Sequence, residues 1–286
     1  MKGKFEMNIG VIGLGYVGSA MVGGMENHFN VLSYDKFKES TNSSIKELIE
    51  NVEIVFVCVP TPMKKDGSCD TSIVESVLSE IHKCNKSSLT TVLKSTLEIG
   101  STESFEKKYN NLNLVFNPEF LTEANFLEDF KNQKFIIIGS SSQNDTSKIQ
   151  DLYSKAFPKA EILVSNHKEA ELSKYFINCF LALKVSYANE ISSLCQKLDI
   201  NYDEVLRLIS LEKRVGKSHL AVPGPDGKKG YGGSCFPKDI NSLITLFENN
   251  SIESHVLSGS WKRNSTIDRP EKDWEKLKGR AVSEQD

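Results

Sequence analysis

Between Met7 and Ser165 the chain alternates short runs dense in Val, Ile, Leu and Phe with helix-compatible stretches. The runs are NIGVIG, NVLSY, EIVFVCV, LTTVLKS, LNLVFN and KFIIIG, closed by a shorter EILV at 161–164. Apolar residues at successive rather than alternate positions describe strands covered on both faces, which is what a parallel sheet between helices requires. The rhythm therefore predicts an α/β unit, a parallel sheet wrapped by helices.

From Lys168 to Leu198 the character changes, because no Gly or Pro interrupts the sequence. Apolar residues recur there at Leu172, Phe176, Cys179, Leu183, Tyr187, Ile191, Leu194 and Leu198. Spacings of three and four predict one long amphipathic helix with that stripe as its apolar face. Further helical sequence (Tyr202 to Leu211), a Gly/Pro-rich loop from Val222 to Gly233 and an amphipathic stretch from Pro237 complete an all-α domain. The tail from Arg263 to Asp286 is dense in charge, contains Pro270 and offers little for a core, so a loosely attached, flexible tail is expected. The expected organisation is a Rossmann-like domain over 1–166, a helical domain over 167–262 and a tail over 263–286.

A net charge of -3 with Lys and Arg spread along the chain gives no basic field for a phosphodiester backbone, so nucleic acid is not an expected partner. No apolar run approaches the roughly 20 residues that cross a bilayer, and the segment MKGKFEMNIG lacks the apolar stretch of a secretion signal. A cytoplasmic protein without membrane partners is the expectation. Cys58, Cys69, Cys84, Cys179, Cys195 and Cys235 form no C-x-x-C pair, which fits thiols in a reducing compartment. No metal site is expected.

Four segments carry chemistry. Gly13-Leu14-Gly15-Tyr16-Val17-Gly18 follows a strand run and opens a helical one, the context in which G-x-G-x-x-G sets backbone N–H groups and a helix N-terminus against a pyrophosphate. Asp35, about twenty residues on at the end of the second strand run, is placed to accept hydrogen bonds from an adenine ribose, and it favours NAD over NADP by repelling a 2′-phosphate. In Tyr231-Gly232-Gly233-Ser234-Cys235-Phe236-Pro237-Lys238-Asp239, the proline suits a first helical turn. Cys235 would then stand at a helix N-terminus beside Lys238, a setting that favours the thiolate. A small buried thiol beside a loop is the plain alternative. Lys174 and Asn178, four apart, share a helix face and suit a developing oxyanion, or simply a solvated face. Glu119 and Glu123, directly after a strand run, are candidate acid–base groups or helix-end acids.

Together these segments resemble the UDP-glucose/GDP-mannose dehydrogenase family. The resemblance rests on GVIGLGYVG, VCVPTPMKKDGSCDTSIVE, LKSTLEIGST, FNPEFLTEAN, ELSKYFINCFLALKVSYANEI and VPGPDGKKGYGGSCFPKDIN, which span about Met7 to Trp261 in the family's order. It implies a nucleotide-sugar substrate, UDP-glucose first, with GDP-mannose and UDP-N-acetylmannosamine as alternatives. It also implies a twofold oxidation at C6 with two NAD per turnover and no released aldehyde. By position, Cys235 matches the nucleophile that forms a thiohemiacetal and then a thioester. Lys174 and Asn178 match the oxyanion-stabilising pair, Asp239 the carboxylate that orders water and a lysine near the thiol, and Glu119 the base for thioester hydrolysis. Thr96 and Glu123 match polar groups around that water and the cofactor, and Pro60 and Thr61 the loop over NAD. Phe120, Leu121, Tyr231 and Gly232 fall in segments that line the substrate. The resemblance further implies a homodimer formed through the helix 168–198.

Members of the family continue into a third domain that helps bind the nucleotide, and this chain stops where that domain would begin. A short form whose cleft is closed by a partner subunit or by the tail fits the sequence, and so does a fragment. Two other classes stay open. One is a catalytically silent NAD-binding subunit; the other is a two-electron hydroxyacid-type dehydrogenase, which would have no use for the thiol.

Overall fold

The computed structural model describes residues 7–284, so the first six residues of the domain expected over 1–166 and the last two of the tail lie outside the described residues. All seven strand runs form strands: β1 (Asn8–Ile12), β2 (Asn30–Tyr34), β3 (Ile54–Val57), β4 (Thr90–Leu93), β5 (Asn113–Phe116), β6 (Phe135–Gly139) and β7 (Glu161–Ser165). Between them lie α1 (Tyr16–Met25), α2 (Ile45–Glu50), α3 (Ser72–Lys83), α4 (Ser101–Lys108), α5 (Phe126–Lys131) and α6 (Gln143–Ala156). One sheet of order β2-β1-β3-β4-β5-β6-β7 results.

Alternate residues of the central strands enter opposite cores. Ile54, Phe56, Val92 and Val115 face one apolar cluster, and Val55, Val57, Leu93, Leu114 and Phe116 face the other. That is why the sequence reads as unbroken apolar runs. The sheet is not wholly parallel, which corrects the expectation: β5 meets β6 antiparallel at the single pair Phe116↔Gly139, and β7 then runs parallel to β6. Gly139 also lets the chain at Asn166 to Ala170 pack close to the end of β6, since a Cβ there would lie 2.6 Å from that of Ala170.

The long helix forms as α7 (His167–Lys197), 31 residues and about 46 Å at 1.5 Å per residue. Asn166 caps it, its Oδ1 accepting from Glu169 N at 2.9 Å. α8 (Tyr202–Ile209), α9 (Phe236–Asn249) and α10 (His255–Arg263) follow. The chain divides into two compact units: residues through Thr61 with Thr71–Lys174, and Pro62–Asp70 with everything from Tyr175. The division falls inside α7 rather than at 166/167, and the loop Pro62–Asp70 counts with the helical unit.

The apolar side of α7 faces outward, and the expectation for the tail is corrected. The apolar stripe is largely exposed at Leu172, Phe176, Tyr187, Leu194 and Leu198. The buried face instead carries Ala170, Glu171, Lys174, Tyr175, Asn178, Cys179, Ala182, Ser186 and Asn189. Small and polar residues lie inward because they are bonded there; Glu171, for one, accepts from Gly100 N, Thr102 N and Thr102 Oγ1. The tail is not loosely attached: a π-helical turn (Asn264–Asp268) and a 3-10 turn (Asp273–Lys276) bury Asn264, Arg269, Trp274 and Ala281 within the second unit. Among the described residues no helix is long and apolar enough to cross a membrane.

Candidate active site

In the first unit the three motif glycines do three different things. Gly13 has φ +91° and a Cβ there would sit 2.9 Å from Cys58 O, so it makes the tight turn off β1. A Cβ on Gly18 would meet Gly13 O at 1.8 Å, so Gly18 lets α1 close onto the strand. Gly15, the N-cap residue of α1, has nothing within 4 Å of its would-be Cβ. A pyrophosphate can therefore reach the backbone at the positive end of α1. Tyr16 and Val17 open the helix, the Tyr16 ring lying 5.2 Å from that of Phe126.

Asp35 directly follows β2 and opens the turn after it. Its Oδ2 accepts from Leu14 N at 2.6 Å, and its Oδ1 from Phe37 N and Lys38 N at 2.8 and 3.0 Å. Partial burial pushes its proton affinity up, but the three N–H groups and Lys38 outweigh that and hold the carboxyl below its ordinary value. The result is a fixed anion tied to the glycine loop.

Beyond the carboxyl ends of β4 and β5 stands a buried charged group. Lys174 Nζ donates to Glu119 Oε1 at 2.9 Å and to Glu119 O at 2.5 Å, while Glu119 Oε2 accepts from Leu121 N at 2.6 Å. Lys174 is 3% and Glu119 11% exposed at the side chain, so the pair is screened from water. Burial raises the Glu119 pKa, but Lys174, the Leu121 amide and Lys94 bring it below the ordinary value. Phe120 covers the pair, its ring centroid 5.3 Å from Lys174 Nζ.

In the second unit Cys235 is the N-cap residue of α9, with Pro237 in the first turn. Its carbonyl accepts from Asp239 N at 3.0 Å. Asp239 is 1% exposed; its Oδ2 accepts from Asn178 Nδ2 at 2.6 Å and its Oδ1 from Lys238. Burial disfavours the Lys238 ammonium, yet Asp239 and the thiols of Cys235 and Cys69 lift its pKa above the ordinary lysine value. A cation locked on beside a half-buried thiol at a helix N-terminus favours the thiolate. Two buried thiols are held protonated: burial pushes Cys58 up to about 12, and Cys179 is raised too, by burial and then by Asp239.

Against known proteins, residues 34–157 match the UDP-glucose/GDP-mannose dehydrogenase family, NAD binding domain, and residues 168–266 match that family's central domain. The chain belongs to the UDP-glucose/GDP-mannose dehydrogenase family. It is 33% identical over 242 residues to a UDP-glucose 6-dehydrogenase of Pseudomonas aeruginosa, covering 81% of this chain and 52% of that protein. With one of Rickettsia typhi it shares 31% identity, over 90% of this chain and 67% of the relative. The structure of a UDP-glucose dehydrogenase from Pyrobaculum islandicum superposes with a TM-score of 0.83 at 28% identity, covering 92% of this chain and 69% of that one. The chain thus spans between about half and two thirds of the length of these curated relatives.

The family's remaining positions fall as follows. Thr61 and Thr96 are buried, Pro60 is exposed, and Leu121 and Glu123 are half-buried. Tyr231 is 3% exposed and paired through its backbone with Asn264, at 2.8 and 2.9 Å. Gly232 leaves room for Arg269, whose Nη1 lies 2.1 Å from where a Cβ would be. These two therefore shape the loop that leads to Cys235. Sequence reasoning missed Lys94, 4% exposed, whose Nζ donates to Asn117 O and Oδ1 at 3.1 and 2.9 Å. The signal was present as a lysine directly after the apolar run of β4, where a buried side chain is due.

Proposed function

We propose that the chain carries the catalytic core of a nucleotide-sugar 6-dehydrogenase that oxidises UDP-glucose at C6 to UDP-glucuronate with NAD. The supporting observation is the setting of Cys235, a half-buried thiol at a helix N-terminus beside a cationic lysine. A one-step alcohol oxidation has no use for it. NAD, when bound, supplies the hydride acceptor for each of the two oxidations.

In this reading the Cys235 thiolate adds to the aldehyde carbon left by the first oxidation, forming a C–S bond and an alkoxide. Lys174 and Asn178 donate to that oxygen, and Asp239 fixes the Asn178 amide that does so. Loss of the second hydride leaves a thioester. Water then adds to the carbonyl while Glu119 takes its proton, the C–S bond breaks, and the thiolate returns as the carboxylate leaves. Holding the aldehyde covalently makes the second oxidation intramolecular and keeps a reactive product from escaping. The glycine loop, Asp35, Pro60, Thr61, Thr96 and Glu123 serve the cofactor, and Phe120, Leu121 and the Tyr231–Gly232 loop the sugar.

The exposed apolar residues of α7, with those of α8, which buries none of its residues, make the homodimer face in this reading. The decisive assay incubates the protein with NAD and UDP-glucose, GDP-mannose or UDP-N-acetylmannosamine and counts NADH per sugar, with Cys235→Ser followed by intact mass. Two NADH per UDP-glucose, lost or stalled in the variant, is the expected result. One NADH per sugar, unchanged in Cys235→Ala, would sink the thioester route. NAD binding with no turnover until a partner chain is added would make this a silent subunit.

A further inference from the structure

Asn117 and Glu119, separated only by the rigid Pro118, are each gripped by a buried ammonium. Lys174 holds the backbone carbonyl and one carboxylate oxygen of Glu119. Lys94 holds the backbone carbonyl and side-chain oxygen of Asn117, at 3.1 and 2.9 Å. The Asn117 side chain is otherwise used up: Oδ1 also accepts from Tyr153 OH, and Nδ2 donates to Ile137 O at 2.7 Å. Three residues that directly follow neighbouring strands meet here, Cys58 after β3, Lys94 after β4 and Asn117 after β5, in the register Val57↔Leu93↔Phe116.

We propose that Lys94 is a positioning residue for Glu119: its buried ammonium fixes the Asn117–Glu119 turn and, together with Lys174, keeps the Glu119 carboxylate ionised for its part in thioester hydrolysis. The inference rests on the reading of Glu119 as base. The titratable groups facing Lys94 are Cys58, Glu119 and Lys174, with Tyr153 reached through Asn117. Burial pushes both Cys58 and Tyr153 up, so neither carries charge at neutral pH. Burial, then Lys174, draws the Lys94 ammonium down to about 8 against the pull of the Glu119 carboxylate. Lys94 therefore remains a cation at neutral pH and below, where the charge of Glu119 is decided. A buried carboxylate flanked by two ammonium groups keeps its charge into more acid solution than one flanked by a single ammonium.

The test is a 13C NMR titration of protein labelled at the glutamate carboxyl carbon, with the Glu119 resonance identified by its loss in Glu119→Gln. In Lys94→Met the Glu119 midpoint should rise by on the order of one unit, and in Lys94→Arg it should stay at the wild-type value. Lys94→Gln, which keeps a donor for Asn117 without the charge, should shift as Met does and replaces it if the Met variant does not fold. In turnover below the wild-type Glu119 midpoint, Lys94→Met should slow release of the Cys235 thioester by up to about tenfold, the loss of ionised Glu119 that a one-unit rise brings there, and this slowing should vanish towards neutral pH. The acid limb of its rate profile should move up by the same shift, with KM for the sugar unchanged. An unmoved Glu119 midpoint in both Met and Gln variants, or an equal shift in Arg, overturns the proposal. Failure of Glu119→Gln to slow thioester hydrolysis would remove Glu119 as base, while the titration still decides whether Lys94 controls its charge.

Discussion

At the scale of the residue, the glycines of one short motif should separate into structural and functional classes. A Cβ on Gly18 would lie 1.8 Å from Gly13 O. Gly18→Ala must therefore push α1 away from β1, at a cost of about 1–3 kcal/mol for overpacking, and it should lower the melting temperature without any ligand. Gly15 has open space at the same point. Gly15→Ala should melt like the wild type, within about 0.5 kcal/mol, yet lose NAD affinity at least roughly tenfold, because the methyl occupies the pyrophosphate's approach. Melting curves with and without NAD read both effects; a Gly15→Ala protein that binds NAD normally would remove this loop from the cofactor site. These glycines, Asp35 and Cys235 were legible because their chemistry depends on neighbours close along the chain. For Lys94 the sequence signalled burial but not the role, because its partner Asn117 is 23 residues away and meets it only through strand register.

At the scale of the element, hydrophobic period located α7 to within a residue at each end but left open what its apolar face meets. Period reports that a helix has an apolar side; whether that side meets its own fold or a second chain is a tertiary matter. The residues α7 buries in its own fold are small or polar, held by specific bonds such as Asn178 to Asp239 and Tyr175 OH to Ser242 Oγ at 2.9 Å. Its large apolar side chains point outward, with Phe180 55% and Tyr187 65% exposed, as is Leu208 of α8 at 64%. Exposed apolar area on this scale marks an association surface. The wild type should run as a dimer in light scattering at micromolar concentration, and Phe180→Asp combined with Leu208→Glu should run as a folded monomer. Neither position supports its own unit's core, so circular dichroism should be unchanged. A monomeric wild type, or a double variant that stays dimeric, would place the interface elsewhere.

At the scale of the whole molecule, the α/β unit with seven strands followed by a helical unit was legible from the rhythm of apolar runs, because burial on both faces leaves its mark on every strand. The reversal at β6 was not, since strand direction depends on where a connection crosses the sheet and leaves no compositional trace. The tail was misjudged for a different reason. Charge density predicts exposure on average, but one indole and one guanidinium are enough to anchor a segment. Arg269, 2% exposed, donates to Lys229 O at 3.0 Å and pairs with Asp226 at 2.6 Å and with Asp273. Trp274, 1% exposed, lies with its ring centroid 5.3 Å from that of Trp261. The chain has two tryptophans, so Trp274→Ala leaves Trp261 as the sole indole fluorophore and reports on the contact directly. Truncating a fully buried aromatic costs about 3–5 kcal/mol, a large share of the roughly 5–15 kcal/mol that holds a domain together. Denaturant unfolding of Trp274→Ala should show a loss of that size and an emission maximum for Trp261 shifted to the red in native buffer, as water reaches the ring. A change below about 1 kcal/mol, the size of an ordinary surface substitution, with no spectral shift would mean that the tail is bound as weakly as its charge density suggests.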